Sequence, residues 1–346
     1  MAGGPVSLPK RTLARILGYG LAVVFLVWVF YDIHLERLWE HMKSIRWGWM
    51  TLGVVIDTAA YLLEGVRWHL LLRPLRSVSV GHTTQAIYAG AFLNEILPLR
   101  VGELARGYFL SRRIGADFFA VVPSMAVERL FEALWGTAAI GLTAIFVPLP
   151  ANLIHAADIL GAIVIALALL IGAFVIWSRK KDWEGGRRGS RLFAPLLSIL
   201  KRLGAGFRNI GLSRSVYGAF ALTLLIQACF AAAFWIIMRG YGLAFSFWVG
   251  VAVFFIVLLG TALPNAPANV GSYQFFCVLG LTLFGVDKTQ AAGFSVVIFI
   301  ILTVPLLILG AIALARTGMS LAAIKNRLRQ LRSGPPGPSH AAREKS

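Results

Sequence analysis

Charge is scarce in this sequence. Charged residues make up 14% of its 346 positions, against about 25% in ordinary soluble domains. With 58% hydrophobic residues and a mean hydropathy of +0.77, the chain has too little polar surface to cover a water-soluble globule. Cysteine is nearly missing: Cys229 and Cys277 both sit inside apolar runs, which excludes a disulfide framework. There is no G-x-x-x-x-G-K-S/T phosphate loop, no H-E-x-x-H and no G-x-S-x-G. Zinc-finger and RNA-binding signatures are missing too. These absences argue against a nucleotide-driven engine, a metallopeptidase, a serine hydrolase and a nucleic-acid binder. No catalytic residue, cofactor or metal is expected, and no soluble stretch is long enough for a transferase domain.

Lipid is the natural solvent for what remains. A span needs about 20 mostly apolar residues, and segments near 14–31, 48–70, 119–147, 157–177, 216–238 and 291–315 meet that. Two further apolar regions, 83–113 and 247–285, are broken in the middle by Pro, Gly and polar residues. The fold class expected is an all-α polytopic membrane protein with about six full spans and two re-entrant helical hairpins. The start resembles a secretory signal, with Lys10, Arg11 and Arg15 before an apolar run. Its exit, Trp28-Val29-Phe30-Tyr31-Asp32, offers no small-x-small cleavage site, so an uncleaved first span is the reading.

The formal net charge of +18 is gathered in short stretches between apolar runs, the pattern of the positive-inside bias. It places residues 1–13 in the cytoplasm, followed by a transmembrane domain over 14–316 and a basic cytoplasmic tail over 317–346 with a disordered end. The protein would sit in the cytoplasmic (cell) membrane with both termini inside. Mixed charge over 32–46, with Leu35, Leu38, Trp39, Met42 and Ile45 at helical spacing, predicts an interfacial helix outside. Arg67, Arg73 and Arg76 mark the return to the cytoplasm. The 178–215 loop is strongly basic. Its stripe Phe193, Leu196, Leu197, Leu200, Leu203 and Phe207 predicts a surface helix on anionic lipid headgroups.

With these sides assigned, the 83–113 region enters and leaves from the cytoplasm and the 247–285 region from outside. Irregular backbone at membrane depth is tolerated only inside protein or beside a wet cavity, so both breaks point to a shared cavity. Their opposite topology fits an inverted repeat; two unrelated Pro/Gly kinks would read the same way.

Several charges sit where an unpaired one costs about 2.5–3.5 kcal/mol. Asp57 and Glu64 lie in the second span, Glu95, Arg100, Glu103 and Arg106 in the first hairpin, and Glu128, Arg129 and Glu132 in the next span. Glu103 with Arg106, and Arg129 with Glu132, are three apart and can meet on a helix face. Glu128 and Glu132 share a face and could hold a proton between them, or the acids could simply neutralise the arginines. Arg100 and Arg106 flank Gly102 at a presumed helix restart, where backbone N–H groups favour an anion and the guanidinium fork suits phosphate. Arg106 could instead snorkel to headgroups.

The candidate headgroup-binding residues are therefore Arg100, Arg106 and Arg129, with Asn265 and Asn269 in the second hairpin. Glu103, Glu128 and Glu132 would balance charge or couple protons. Asn94, Glu95, Asp57 and Glu64 would line the cavity. Asn265, Asn269, Ser272 and Gln274 could receive a headgroup or merely satisfy freed backbone. The stripe Asp57, Tyr61, Glu64 and Trp68 could face the cavity or another helix.

The run Leu97-Pro98-Leu99-Arg100-Val101-Gly102-Glu103-Leu104-Ala105-Arg106, with Leu110-Ser111-Arg112-Arg113 and Val127-Glu128-Arg129-Leu130 after it, resembles the flippase-like transmembrane domain of lysylphosphatidylglycerol synthases. Val66-Arg67-Trp68 and Leu263-Pro264 through Gly271 fit the same pattern. The resemblance covers about 14–316. The second motif departs from the family's glycine-rich stretch ending in an acid, reading Asn269-Val270-Gly271-Ser272-Tyr273-Gln274. The family's Asp after the Glu-Arg pair has its nearest counterpart here in Glu132.

The resemblance implies translocation of an amphipathic lipid between leaflets, carrying a phosphate-bearing, aminoacylated or glycosylated headgroup. In the full synthases a separate soluble domain makes the lipid; a stand-alone, non-enzymatic member is the expectation here. An ion-coupled small-solute transporter and a membrane-embedded polyprenyl-lipid transferase remain the alternatives. The partners expected are a membrane lipid as substrate, anionic lipid at the basic segments and a second copy of the chain, with no nucleic acid.

Overall fold

The structure, a computed structural model, describes residues 10–31, 33–97, 101–148, 151–180, 194–211, 213–262 and 266–318. These residues form twelve α-helices, with no strand among them. The chain is an all-α polytopic membrane protein. Among the described residues six helices have spanning length: α1 (Lys10–Phe30), α3 (Trp47–Leu72), α6 (Phe118–Phe146), α7 (Ala151–Lys180), α9 (Ser215–Gly240) and α12 (Lys288–Ala315). Each covers one of the uninterrupted apolar runs. Length and hydropathy together mark α3, α6, α9 and α12 as able to cross a bilayer. Their lipid-facing surfaces stay apolar, as at Leu142 and Ile145 of α6 and Leu224 and Leu225 of α9.

The two broken regions fold as antiparallel hairpins. In the first, α4 (Val80–Ile96) is followed by α5 (Val101–Ile114). In the second, α10 (Phe247–Ala262) leads through a short turn, Pro267–Asn269, into α11 (Ser272–Leu283). At 17, 14, 16 and 12 residues, each leg falls short of a span. Local chemistry sets their ends. Ser79 caps α4 by accepting from the His82 N–H. Leu97, forced out of the helical region by the proline after it, ends that helix in extended backbone. Gly271 opens α11 with φ +87°, and a Cβ there would press on the backbone of Ala22. Gln274 reaches back to accept from the Gly271 N–H at 2.8 Å.

Glycine lets the first hairpin close. A Cβ on Gly102 would overlap the Gly90 carbonyl. At the open end, Arg113 meets His82 at 3.2 Å. In the second hairpin Gly260 lies under the Phe276 ring.

α3 and α9 make the most extensive helix contact and run antiparallel. Gly53 packs on Ala233 and Ile237, Gly240 on Trp49, and Gly218 on Leu70. α4 follows α3 and α10 follows α9, so the hairpins enter from opposite ends of the bundle. Their tips meet where the Pro267–Asn269 turn touches α4. Contacts repeat under exchange of α3–α6 with α9–α12. α4 packs on α12 as α10 packs on α6, and each hairpin leg packs on its neighbours in the same order. This is the arrangement of an inverted repeat.

Two connecting helices complete the fold. α2 (Leu35–Lys43) forms over the helically spaced stripe of 32–46, with Trp39 and Met42 exposed and Leu38 packed over Gly293 of α12. α8 (Ala194–Gly211) lies in the basic loop, of which 181–193 fall outside the described residues. It is more than a surface helix. Gly206 abuts Pro123 of α6, and Ile210 is buried in the core that holds Trp68 and Phe131.

Candidate functional site

Three helices deliver ionised side chains to one place. α6 presents Glu128, Arg129 and Glu132, α5 presents Glu103 and Arg106, and α3 presents Arg67. The six close into a ring of alternating charge. Arg67 bonds Glu128 at 3.1 Å, Glu128 bonds Arg106 at 2.9 Å, and Arg106 bonds Glu103 at 2.9 Å. Glu103 then bonds Arg129, which bonds Glu132 at 2.5 Å, and Glu132 returns to Arg67 at 2.6 Å. Every member has a partner on each side, and three arginines against three glutamates make the ring formally neutral. Glu128 is fully buried and Arg67 is 1% exposed. Such charges are tolerated in a low-dielectric interior only when matched and hydrogen-bonded in this way. Trp68 supports the ring from below. Its indole face lies 4.8 Å from the Arg106 guanidinium, while its N–H donates to Ser124 at 2.9 Å.

The ring borders a cavity of about 520 Å³, within the size range of ligand sites. The cavity lining is chemically mixed. Asp57, Glu64, Arg67, Asn94, Glu95, Glu103, Arg106, Arg129 and Glu132 bring polar and charged groups, and Ile140, Val164, Phe230, Phe234, Phe254 and Leu258 bring apolar ones. α3, α4, α5, α6, α9 and α10 all contribute walls, and Asn269 at the tip of the second hairpin completes the lining.

The chain matches the family described as "Lysylphosphatidylglycerol synthase TM region" over residues 15–310. It belongs to that family. Among curated proteins it is 22% identical over 230 residues to the UPF0104 membrane protein MJ1078 of Methanocaldococcus jannaschii, covering 64% of this chain and 92% of that protein. It is 24% identical over 279 residues to Glycosyltransferase AglD of Haloferax volcanii. That match covers 70% of this chain and 45% of the relative, so the chain spans less than half of that protein's length.

In this member of the lysylphosphatidylglycerol synthase TM-region family, Arg106, Arg129, Glu103, Glu128 and Glu132 converge in the ring. Asp57, Glu64, Asn94, Glu95 and Asn269 line the cavity beside it. Arg100 and Asn265 lie outside the described residues. Glu128 sits behind the cavity wall, and Glu128 and Glu132 each bond two arginines. Of the stripe on α3, Asp57, Tyr61 and Glu64 face the cavity, while Trp68 is buried under Arg106. Gln274 satisfies backbone, as its bond to Gly271 shows.

One residue is placed differently from its sequence reading. Arg67, grouped with Arg73 and Arg76 as a marker of the cytoplasmic return, is a buried member of the ring. The signal was present: Glu64 and Arg67 are three apart on α3, as are the other two pairs.

Proposed function

We propose that this protein is a lipid translocase, a flippase or scramblase-like carrier of a phosphate-bearing, aminoacylated or glycosylated lipid between leaflets of the cytoplasmic membrane. The observation that carries this reading is the cavity between hairpins of opposite entry, whose lining offers both charged and apolar side chains. A headgroup suits the charged groups, where donors and acceptors replace its water, and the first segment of its chain suits the aromatic and aliphatic ones. Half-exposed Arg129 and buried Arg106 are the residues we assign to the headgroup's anionic part, with the glutamates of the ring balancing them. Rocking of the two repeats would expose the cavity to each side in turn. The protein itself makes and breaks no covalent bond in this scheme, and its termini and basic segments face the cytoplasm against anionic lipid.

The test is leaflet exchange in reconstituted vesicles with fluorescent lipids of anionic, aminoacylated and glycosylated headgroups. Faster exchange than in empty vesicles, selective for one headgroup class, is expected. Exchange at the empty-vesicle rate for all of them ends the proposal. The name of the glycosyltransferase AglD relative favours a second reading, glycosyl transfer; a new covalent product in the same vesicles would support it.

A further inference from the structure

Arg67 is the least satisfied member of the ring. Its Nη2 donates to Glu132 at 2.6 Å and to Glu128 at 3.1 Å. Its Nε and Nη1 are buried and have no hydrogen-bond partner among the described residues. A guanidinium carries five donors in a fixed fork, and donors buried without acceptors are unfavourable enough to be met in some state of the protein. Arg67 also lines the cavity.

One helical turn earlier sits an acid with the complementary surplus. The Glu64 carboxylate is 3.9 Å from Arg67 Nη2, beyond hydrogen-bonding distance, and lines the same cavity. The ring is neutral without it. Arg67 therefore has donors to offer, Glu64 has a charge with no hydrogen-bonded counter-ion, and the two face one compartment.

We propose that Glu64 and Arg67 form a proton-linked anion site, in which protonation of Glu64 lifts its repulsion of an incoming anion and lets the unmatched Arg67 Nε and Nη1 donors meet a phosphoryl oxygen. A carboxylate and a phosphoryl group engage a guanidinium through the same two-pronged geometry. Ionised Glu64, 3.9 Å from Nη2 of the same guanidinium, repels an incoming anion, and its protonation removes that obstacle. Proton and anion then bind together. The surroundings of Glu64 sustain this coupling. On α3 it faces Asp57, Tyr61 and Arg67, on α4 Tyr88, on α5 Arg106, and on α6 Glu128, Arg129 and Glu132, and it shares the cavity with Glu95 of α4 and Glu103 of α5. All three arginines are held by the ring. α9 carries Arg239 at its far end, next to Gly240 packed on Trp49, and α12 carries Lys288 at its start, bonded to the Tyr31 carbonyl at 3.1 Å. Asp57, two turns away on the same helix, adds negative charge to the same cavity.

The site rests on the translocase reading only for the source of its phosphoryl group, and the test separates the two. The full chain in maltoside detergent is titrated with dimethyl phosphate and, separately, with short-chain phosphatidylglycerol, both phosphodiesters of fixed charge. Heat and proton uptake from weak buffer are followed together. Binding should be accompanied by uptake of one proton, and affinity should fall about tenfold per pH unit above the Glu64 titration. Glu64→Gln should bind without proton uptake and without pH dependence. Arg67→Lys should bind at least about tenfold more weakly, having lost the fork.

Binding without proton uptake in the wild type, uptake that persists in Glu64→Gln, or no binding of either probe overturns the site, whatever lipid exchange is seen in vesicles. Proton-linked phosphatidylglycerol binding without leaflet exchange keeps the site and sinks the translocase. Should Arg67→Lys fail to fold, Glu64→Gln decides alone, since it leaves the six-membered ring intact.

Discussion

The α4–α5 hairpin brings Glu95, Glu103 and Arg106 to the cavity, whereas residues 247–285, which hold the α10–α11 hairpin, include no Asp, Glu, Lys, Arg or His. The two are otherwise built alike, with short antiparallel legs, a glycine at the crossing and entry from opposite ends of the bundle. An inverted repeat can thus keep its architecture in both halves and place its ionic chemistry in one. The physical reason lies in the neighbours. α5 packs against α6 and near α3, which supply the opposite charges that make Glu103 and Arg106 tolerable. α11 packs against α1, α10 and α12, which are apolar where they meet it, and an ionised group there would have no partner. In the proposed translocase the charged half would meet the headgroup and the apolar half would form a wall for the lipid chain.

The comparison breaks first if the ring is opened. Glu128→Ala removes the fully buried acid that joins Arg67 to Arg106 and leaves two guanidinium groups short of a counter-charge. A loss of about 3–5 kcal/mol is expected, read as a large fall in melting temperature in detergent. A second and smaller break comes from the hairpin crossings. Gly102→Ala drives a methyl into the Gly90 carbonyl, which is backbone and cannot swing away, so about 1–3 kcal/mol is expected. The matching change in the other hairpin, Gly260→Ala, meets the Phe276 ring at its Cγ, a side chain that can make room by swinging about its Cα–Cβ bond. Its effect should be the smaller of the two in the same melts, and equal losses would contradict the contrast between backbone and side-chain contact.

These unequal roles were only partly legible in the sequence. The spans were, because a helix crossing lipid must be apolar for about 20 residues without interruption. The hairpin break at Pro98 was also legible, since a proline ends the helix before it. The pairs Glu103–Arg106 and Arg129–Glu132 follow from spacing on one helix. Closure of the ring does not, because it depends on how α3, α5 and α6 pack. Arg67 shows the failure clearly: positive charge near a span end reads as a loop marker, although Glu64 three residues before it obeyed the pairing rule applied elsewhere. The docking of α8 is not legible for a similar reason. An amphipathic basic stripe suggests a lipid surface, and only Gly206, small enough to admit Pro123, hints at a helix contact.

A milder perturbation falls on the second hairpin. Gln274→Ala removes the acceptor for the Gly271 N–H and leaves the start of α11 with an unmet donor. About 1 kcal/mol should be lost, with hydrogen exchange of the first turn of α11 rising before the rest of the helix. Unchanged exchange there would mean that water reaches the tip and replaces the side chain.

The smallest stability effect is expected at Arg129, and it separates recognition from support within the charged half. Its side chain is 52% exposed although it bonds Glu103 and Glu132. Solvent-accessible pairs of this kind contribute about 0–1 kcal/mol, so Arg129→Gln should melt close to the wild type, unlike Glu128→Ala in the same ring. The accessibility that makes Arg129 dispensable for folding also makes it the ring's cation most open to a headgroup. Exchange of anionic lipid in vesicles should therefore slow severalfold in Arg129→Gln while the melting curve stays in place. If exchange is untouched as well, the headgroup does not meet the ring at Arg129, and recognition must lie deeper, toward Arg67.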